Sequence, residues 1–512
     1  MLNAVVTWLM KKRGHQRDLF LQFPFEVQFD VLTMLLVKAE ETEFGIRHHF
    51  SYIKSKDDFR KQVPLQDYDT LKSFIDCHRK GEQNVLWPSP IKWFAKSSGT
   101  TSDRSKFIPV SQEALEDCHF KGGKDMLSIY CQNYPETQLF SGKGLSVGGS
   151  HRVDEFRQDA YYGDLSAVLL QNLPFWAEFY RTPKLEVALM DEWESKIEEM
   201  VRVTITQDIT NIQGVPSWTL VLLQRVLEVS GKETILEVWP NLEVFFHGAV
   251  SFIPYRKQFE KVIGGRGIHY METYNASEGF FALQDNPELD DLLLMLDYGI
   301  YYEFISMDEW DSEKPKTLLL EEVELGHNYA LVISTNAGLW RYCIGDTVMF
   351  TSLKPHRIRI TGRTKHFINA FGEEIIIDNA EQALKVACEK SDAEIRDYTA
   401  GPFYLDGKAK GRHDWFIEFS RAPKDLGYFV ETLDTALKSI NSDYEAKRYH
   451  DMVLERPMVF SLPNGTFYNW LKSKGKLGGQ HKVPRLANNR QYLDEILGVI
   501  DIINAAVVVT SF

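Results

Sequence analysis

The chain has 512 residues, of which 44% are hydrophobic and 25% are charged, and its formal net charge is −14. These values are typical of a globular protein with two or more domains, and they exclude long disordered tracts. The negative charge argues against nucleic acid as the main partner, because phosphate backbones are bound by basic surfaces.

Five cysteines lie far apart without a C-x-x-C pair, which argues against a zinc site or a disulfide framework and favours a reducing compartment. The longest uncharged run is too short and polar to cross a bilayer. The apolar start of the chain lacks the residue order of a signal peptide. The sequence therefore predicts a soluble, cytoplasmic protein with no membrane contact.

Apolar residues at helical spacing predict a helix from Phe25 to about Glu41. The residues expected on its buried face are Phe25, Phe29, Leu32, Leu35 and Leu36.

A loop rich in hydroxyl residues follows, with the sequence Ser97-Ser98-Gly99-Thr100-Thr101, and Lys106 comes shortly after it. Such a loop can direct several N–H groups and hydroxyls at one anionic group, and Gly99 lets the backbone approach closely. Lys106 would add a positive charge for a polyphosphate. The pattern is not the P-loop pattern, and an ordinary loop is the alternative. Apolar residues on both sides predict a hairpin between two strands.

Two further helical stretches are predicted. The first runs from Leu115 to Tyr130, with a break at Lys121-Gly122-Gly123-Lys124. The second runs from Leu185 to Leu227, with a new helix starting at Pro216.

From Asn241 the pattern changes to short apolar runs that end in glycine, as in an α/β sheet that presents ligand-binding groups at its strand ends. One run leads into Tyr274-Asn275-Ala276-Ser277-Glu278. Here Tyr274 could stack on a purine, Ser277 could bind a phosphate or carboxylate, and Glu278 is a hard oxygen ligand suited to Mg²⁺. Without the first motif, these residue types would mean little.

Strands predicted between Tyr301 and Phe350 include the segment Arg341-Tyr342-Cys343-Ile344-Gly345-Asp346. An aspartate placed after a strand and a glycine can accept two hydrogen bonds from a ribose diol. The alternative is an ordinary turn aspartate.

Glycines bracket the stretch from Gly362-Arg363 to Gly372, where the chain can pivot, so we place the domain boundary there. Short strands and helices of α+β type follow. Lys482 lies in the glycine-led loop Gly478 to Leu486, where a lysine is usually solvated.

Taken together and in order, these stretches resemble the auxin-responsive-promoter family of acyl acid amido synthetases. This family is a branch of the adenylate-forming superfamily, which includes firefly luciferase and acyl-CoA synthetases. The hydroxyl-rich loop is similar to the family's phosphate loop, although Ser102-Asp103 stands where a glycine is usual. The other matches are to Tyr-Ala-Ser-Ser-Glu, to Arg-Tyr-x-x-Gly-Asp, to the hinge entry at Gly362-Arg363, and to Gln-Tyr-Lys-x-Pro-Arg at Gln480 to Arg485.

The resemblance implies an α/β fold. Residues 1–365 would form a large N-terminal domain, with sheets and a β-barrel-like part, that binds nucleotide and acyl acid. Residues 366–512 would form a smaller, mobile α+β domain, a lid that carries the catalytic lysine. The implied catalytic residues are Lys482 and Glu278, with Glu278 on the metal. The implied nucleotide-binding residues are Ser97, Ser98, Gly99, Thr100, Thr101, Lys106, Tyr274, Ser277, Asp346 and Arg363.

The implied activity is that of a ligase forming C–N bonds. ATP, with Mg²⁺, would adenylate a carboxylic acid, and the acyl group would pass from the acyl-AMP to an amine, that of an amino acid. Two alternatives stay open. Coenzyme A as the acceptor would make the protein an acyl-CoA ligase, and a catalytically silent nucleotide-binding protein would keep the pocket without the lysine. The presence of both Lys482 and Glu278 speaks against the silent protein.

Overall fold

The computed structural model describes residues 14–509 except 98–105, 149–153, 158, 191–192, 250–251, 253–254, 266, 311, 365–366, 374, 406–409, 452 and 475–482. The chain forms two compact units. The larger unit ends at Thr364. The smaller unit begins at Lys365 and also includes the short segment Val250–Gln258.

The α-helices of the described chain are Gly14–Gln22, Pro24–Ala39, Glu43–Arg47, Lys56–Gln62, Tyr68–Lys80, Phe120–Asn133, Leu165–Gln171, Leu185–Ala188, Trp193–Thr204, Pro216–Ser230, Ile235–Val238, Arg256–Ile263, Ile377–Ser391, Leu426–Ile440, Ser442–Arg448, Thr466–Ser473 and Gln491–Val509. A π-helical turn, Ala114–His119, runs directly into Phe120–Asn133. No helix in the described residues combines enough length with enough apolar character to cross a membrane.

The strands are β1 (Trp93–Ser97), β2 (Lys106–Val110), β3 (Lys143–Val147), β4 (Asp154–Arg157), β5 (Ala160–Gly163), β6 (Arg181–Thr182), β7 (Ile209–Gly214), β8 (Val244–Gly248), β9 (His269–Ala276), β10 (Gly279–Leu283), β11 (Leu292–Leu294), β12 (Ile300–Ser306), β13 (Thr317–Leu318), β14 (Asn328–Thr335), β15 (Tyr342–Leu353), β16 (His356–Arg363), β17 (Phe367–Ile368), β18 (Ile375–Ile376), β19 (Glu394–Tyr404), β20 (Gly411–Arg421) and β21 (Met458–Leu462).

The main sheet of the larger unit has twelve strands in the order β13-β12-β14-β15-β16-β11-β10-β9-β8-β7-β3-β6. Strand β9 pairs in parallel with β8 and antiparallel with β10, so the sheet changes type there. On one side of β9 the strands are parallel, and on the other neighbouring strands are antiparallel. The carboxyl end of β9 therefore lies where parallel strands end, the usual place for ligands in α/β proteins. A second sheet has the order β2-β1-β5-β4.

One predicted helical stretch contains a strand. The prediction of a mostly helical segment from Leu185 to Leu227 is wrong at Ile209–Gly214, which forms β7 between two helices. The polar residues Thr210 and Asn211 make β7 hard to recognise in the sequence, yet both are buried. Thr210, for example, donates its hydroxyl to the carbonyl of Leu139 at 2.6 Å, so its polar atom is satisfied inside the core.

The predicted helix near the start of the described chain is confirmed as Pro24–Ala39, but its buried face differs. The predicted inward residues Phe25 and Phe29 are 37% and 38% exposed. In their place the amide of Gln28 is buried at 1% exposure.

Gln28 is buried because backbone groups satisfy its amide. Its Nε2 donates to the carbonyls of Leu296 and Ile300, at 2.8 and 2.9 Å, and its Oε1 accepts the N–H of Tyr302 at 2.9 Å. A fully paired amide costs little to bury, and here it fixes the helix to β12.

The smaller unit contains a sheet in the order β19-β20-β21 and a short pair, β17 with β18. The helices Ile377–Ser391 and Leu426–Ile440 pack against each other. Side chains of the helices Thr466–Ser473 and Gln491–Val509 share an apolar cluster with Phe416 of β20. The predicted fold class, a large α/β part followed by a smaller α+β part, is confirmed.

The predicted break at Gly122-Gly123 is wrong, because both glycines lie inside the helix Phe120–Asn133. A Cβ built on Gly122 would lie 2.6 Å from the ring of Phe280 on β10, whereas one built on Gly123 would meet nothing within 4 Å. Gly122 therefore permits close packing of the helix on the sheet.

We expect Gly122→Ala to lower the free energy of unfolding by about 1–3 kcal/mol, because the added methyl group overpacks the contact with Phe280. The matched variant Gly123→Ala should raise it by up to about 1 kcal/mol, because alanine is the better helix former and has open space there. Denaturant unfolding of the two variants measures both values. Equal effects would contradict the packing role of Gly122.

Candidate active site

The carboxylate of Asp346 joins three strands of the main sheet. Its Oδ1 accepts Nε–H of Arg363 at 2.7 Å, and its Oδ2 accepts the hydroxyl of Tyr274 at 2.5 Å. Asp346 is buried, and the two donors approach different oxygens. The Arg363 guanidinium therefore neutralises the negative charge of Asp346, and the Tyr274 hydroxyl adds a hydrogen bond. These contacts bring together three residues that the sequence predicts for nucleotide binding.

The pairing of β15 with β16 explains how Arg363 reaches Asp346. The two residues are direct cross-strand partners in this antiparallel pair. Directly opposed residues have Cβ atoms about 5 Å apart, so their side chains meet. Gly345 next to Asp346 has a φ of 96°, a backbone conformation that favours glycine.

The contact between Tyr274 and Asp346 requires a curled sheet. Their strands, β9 and β15, are separated by β10, β11 and β16. In a flat sheet, four strand spacings would place them about 19 Å apart, too far for a tyrosine to hydrogen-bond an aspartate. The antiparallel part of the sheet must therefore bend back towards itself, in keeping with the predicted barrel-like part.

Tyr274 serves in this structure as a support for Asp346. Its ring is buried beside Phe281, with the ring centroids 4.8 Å apart. Burial, together with the charge of Asp346, raises the pKa of the Tyr274 hydroxyl well above its usual value, so it remains a donor. The stacking of Tyr274 on a purine stays a prediction.

Ser277 and Glu278 form the turn of the hairpin between β9 and β10, since Ala276 pairs with Gly279. Burial raises the pKa of the Glu278 carboxyl to about 7, although the positive charges of Lys106 and Arg363 lower it. The charge of Asp346 adds to the upward shift. The pKa of Glu278 therefore depends on the charges of other predicted site residues.

Lys106 begins β2, where it pairs with Ser97 of β1. The predicted hairpin around the hydroxyl-rich loop is confirmed by this antiparallel pair. Lys106 is buried, with its Nζ 5.8 Å from the ring centroid of Tyr68. The Tyr68 oxygen accepts the N–H of Phe107 at 2.9 Å. The sequence does not identify Tyr68 as a neighbour of Lys106, because no motif contains Tyr68 and its position depends on packing alone.

Several predicted residues lie outside the described part of the chain. These are Ser98, Gly99, Thr100 and Thr101 of the loop, Lys482, and the side chain of Ser97. Their roles stay predictions.

Arg341, the first residue of its motif, has a structural place. Its Nε and Nη2 each lie 2.9 Å from an oxygen of the buried Glu303, and its Nη1 donates to the carbonyls of Arg60 and Val63. A buried ion pair of this kind is costly to break on one side. Arg341 therefore anchors the start of β15 on which Asp346 is carried.

The described residues contain no cluster of three or more His, Cys, Asp or Glu side chains that could hold a metal by themselves. Of the two carboxylates described at this site, that of Asp346 is paired with Arg363 and Tyr274, and that of Glu278 is the other hard oxygen ligand. This arrangement suits Mg²⁺, which is usually bound through one or two carboxylates together with substrate phosphates and water.

Family comparisons match the chain along most of its length. Residues 14–268 match the GH3 family N-terminal domain, residues 293–363 the GH3 family central domain, and residues 378–491 the GH3 family C-terminal domain. Among named relatives, the indole-3-acetic acid-amido synthetase GH3.15 of Arabidopsis thaliana is 23% identical, with 91% of each chain covered.

Solved structures show the same fold. The AtGH3.15 acyl acid amido synthetase in complex with 2,4-DB has a TM-score of 0.59 at 17% identity, covering 92% of this chain and 93% of that one. A 2-hydroxyisobutyryl-CoA ligase in complex with 2-HIB-AMP and CoA has a TM-score of 0.55 at 14% identity, covering 93% of this chain and 91% of that one.

The raised pKa of Glu278 predicts a stability change with pH. Because the folded value is about 7 and the unfolded value 4.5, the folded state favours the protonated carboxyl, and this stabilisation is lost as pH rises through about 7. At pH 8 without ligand, Glu278→Gln should therefore be more stable than the wild type by about 1–3 kcal/mol.

Denaturant unfolding from pH 5 to pH 8 checks this expectation. The matched control is Glu288→Gln, which changes an exposed glutamate near the end of β10. A Glu278→Gln variant that tracks the wild type at every pH would contradict the burial of this carboxylate.

Proposed function

The chain belongs to the GH3 family, whose three domains it carries in order, and on this premise we propose that it is an ATP-dependent acyl acid amido synthetase. It activates a carboxylic acid as acyl-AMP and transfers the acyl group to the amine of an amino acid, a ligase reaction that forms a C–N bond. The family predicted from the sequence motifs is confirmed by these matches. The observation that carries the activity is the Asp346 carboxylate held between Tyr274 and Arg363, with Glu278 and Lys106 at the same site.

Asp346 is the proposed ribose-binding residue. Each oxygen of an ionised carboxylate has about two lone pairs, and the bonds from Tyr274 and Arg363 use one on each oxygen. The remaining lone pairs can accept the two hydroxyls of a ribose. Because both bonds hold the carboxylate in place, little ordering remains for the nucleotide to impose.

The first half-reaction joins two anions. The carboxylate oxygen of the acid attacks the α-phosphorus of ATP, the bond to the β-phosphate oxygen breaks, and pyrophosphate leaves. Lys106, beside the hydroxyl-rich loop, supplies positive charge for the phosphates. Lys482 is proposed to bridge the acid and the α-phosphate. A fixed charge aimed at a transition state is worth about 3–4 kcal/mol, roughly a hundredfold or more in rate.

Mg²⁺ is the proposed counter-ion of the phosphates, with Glu278 as its protein ligand. The residues fit, because the Glu278 carboxylate makes no hydrogen bond to another described side chain, carries hard oxygen ligands and lies near a second carboxylate, that of Asp346. When bound, the cation would neutralise phosphate charge. Ser277 lies beside Glu278 in the same turn and is proposed to bind a phosphate oxygen.

In the second half-reaction an amine attacks the acyl carbon, AMP leaves with the electrons of the broken C–O bond, and the amine nitrogen releases one proton. The amido synthetase named among the relatives supports an amine acceptor. The structural likeness to a CoA ligase shows a shared fold only, so coenzyme A is the alternative acceptor that the experiment must exclude.

The acceptor can be identified with one acid that supports ATP–pyrophosphate exchange. We expect the purified protein to release AMP faster when a mixture of amino acids is added, and to be indifferent to coenzyme A. If coenzyme A stimulates AMP release and no amino acid does, the product is a thioester and the protein is an acyl-CoA ligase. If no acid in a broad panel supports exchange, the proposed adenylation step is wrong.

The proposed role of Lys482 predicts a selective loss. Lys482→Ala should slow pyrophosphate exchange by about a hundredfold or more while ATP binding changes little, because the lysine acts on charge that develops during the reaction. The matched control is Lys474→Ala, since Lys474 forms an ion pair with Glu495 at 2.8 Å. Normal exchange in the Lys482→Ala variant would contradict this role of Lys482 and would show that another residue fulfils it.

A further inference from the structure

The chain directly after Lys482 is fixed to strand β19 of the smaller unit. The N–H of Ala400 donates to the carbonyl of Arg485 at 2.9 Å, and the N–H of Ala487 donates to the carbonyl of Ala400 at 3.0 Å. These bonds make a parallel bridge between Ala400 and Leu486. The Leu486 side chain is buried, so the backbone of this stretch has a defined position on the sheet.

Side chains hold the same stretch at further points. The hydroxyl of Thr399, a buried residue of β19, donates to the carbonyl of Pro484 at 2.6 Å. The guanidinium of Arg485 forms an ion pair with Asp397 and lies 4.8 Å from the ring centroid of Tyr398. Successive residues of one strand therefore hold the stretch by a hydrogen bond, an ion pair and a ring contact. We call Asp397, Thr399 and Arg485 the Arg485 cluster.

Val483 fixes the end of this stretch that is nearest to Lys482. Its side chain is buried in the apolar cluster that includes Phe416 of β20 and Trp470. A residue that precedes a proline is restricted to extended backbone conformations, and Pro484 follows Val483. Lys482 directly precedes Val483 in the sequence, and successive Cα atoms of a chain are about 3.8 Å apart. A fixed Val483 therefore limits the volume that the lysine ammonium group can reach.

The glycines of this part of the sequence lie on one side of Lys482 only. Gly475, Gly478 and Gly479 precede the lysine, and no glycine occurs from Val483 to Leu486. Glycine permits the widest range of backbone conformations, whereas a valine, a proline and an arginine bonded to β19 follow the lysine. The sequence thus joins Lys482 directly to the fixed stretch. A lysine that served only to keep the surface solvated would need no such connection.

We propose that Asp397, Thr399 and Arg485 are positioning residues for adenylation, and that they act through Lys482. By fixing the backbone at Val483, they limit the positions from which the ammonium group can approach the α-phosphate. A preorganised charge stabilises a transition state without the cost of reorganisation at the moment of reaction. Without the cluster the charge would remain, but it would occupy the productive position for less of the time. This inference rests on the proposed function and on the role proposed there for Lys482.

The first test is a double-mutant cycle that measures kcat and KM for ATP–pyrophosphate exchange. Thr399→Val keeps the shape of the side chain and removes its hydroxyl, and Asp397→Ala removes the ion-pair partner of Arg485. Each variant should lower kcat by about threefold to tenfold, the effect of one lost hydrogen bond or ion pair, and change the KM for ATP by less than about twofold. In the Lys482→Ala background the same changes should lower kcat by less than about twofold, because effects that pass through one group are not additive.

Glu394→Ala is the matched control. Glu394 is the first residue of β19, and its carboxylate pairs with Arg421 at 3.0 Å. The variant therefore also removes an acid–arginine pair from this strand, but it leaves every contact of the Arg485 cluster intact. It should keep the wild-type kcat, which separates the role of the cluster from general effects on β19.

The second test reports how firmly the bond after Lys482 is held, without the reaction. Trypsin cleaves after Lys482 and after Lys476, and it needs a locally mobile backbone at the bond that it cuts. Thr399→Val and Asp397→Ala should speed the first cleavage after Lys482 by about threefold or more, because a contact that holds the following residues is lost. Cleavage after Lys476, which lies further from the cluster in the sequence, should change by less than about twofold. Mass spectrometry of the first products measures both rates.

Smaller losses in the Lys482→Ala background, together with faster cleavage after Lys482, support the proposal. Unchanged kcat in both single variants, equal losses in the two backgrounds, or unchanged cleavage after Lys482 would overturn it while the proposed function stands. Normal exchange in Lys482→Ala would overturn it as well, because the lysine would then have no role for the cluster to support. If the wild type exchanges pyrophosphate with no acid, the proposed function fails and the positioning role fails with it.

Discussion

The curl of the main sheet is the constraint on which the candidate site depends. Tyr274 and Asp346 belong to strands that are four spacings apart in the sheet order, yet they share a hydrogen bond of 2.5 Å. Only a sheet that bends back on itself can bring them together. The same bend brings the turn with Glu278 under the influence of Asp346 and Arg363, so the fold creates a compact group of charges from distant parts of the chain.

Much of the site could be predicted because its residues follow strands in short motifs. Asp346 and Glu278 could be identified from such positions, and Lys106 from its place after a hydroxyl-rich loop. The sequence could not show that Arg363 faces Asp346, since that pairing comes from the register of β15 and β16. It also could not show that the Tyr274 hydroxyl binds a carboxylate, because strand periodicity contains no information on how a sheet curls.

The errors in the fold prediction share a physical cause. Gln28 and Thr210 are polar in the sequence but buried in the structure, because backbone groups satisfy their hydrogen bonds. Gly122 predicts a helix break by propensity, but packing against Phe280 requires the absence of a side chain. The intrinsic preference of each residue predicts one environment, whereas a partner far along the chain determines where the residue lies.

The smaller unit is not one continuous stretch, and this affects how the protein can be divided. The segment Val250–Gln258 belongs to it, and Tyr255 within that segment donates its hydroxyl to the carbonyl of Ala370 at 3.0 Å. A shortened protein that ends at Thr364 would leave Tyr255, buried in the whole chain, without Ala370 and Tyr404. An isolated fragment from Lys365 onward would lack the same segment. Limited proteolysis at this boundary should therefore yield two pieces that stay associated.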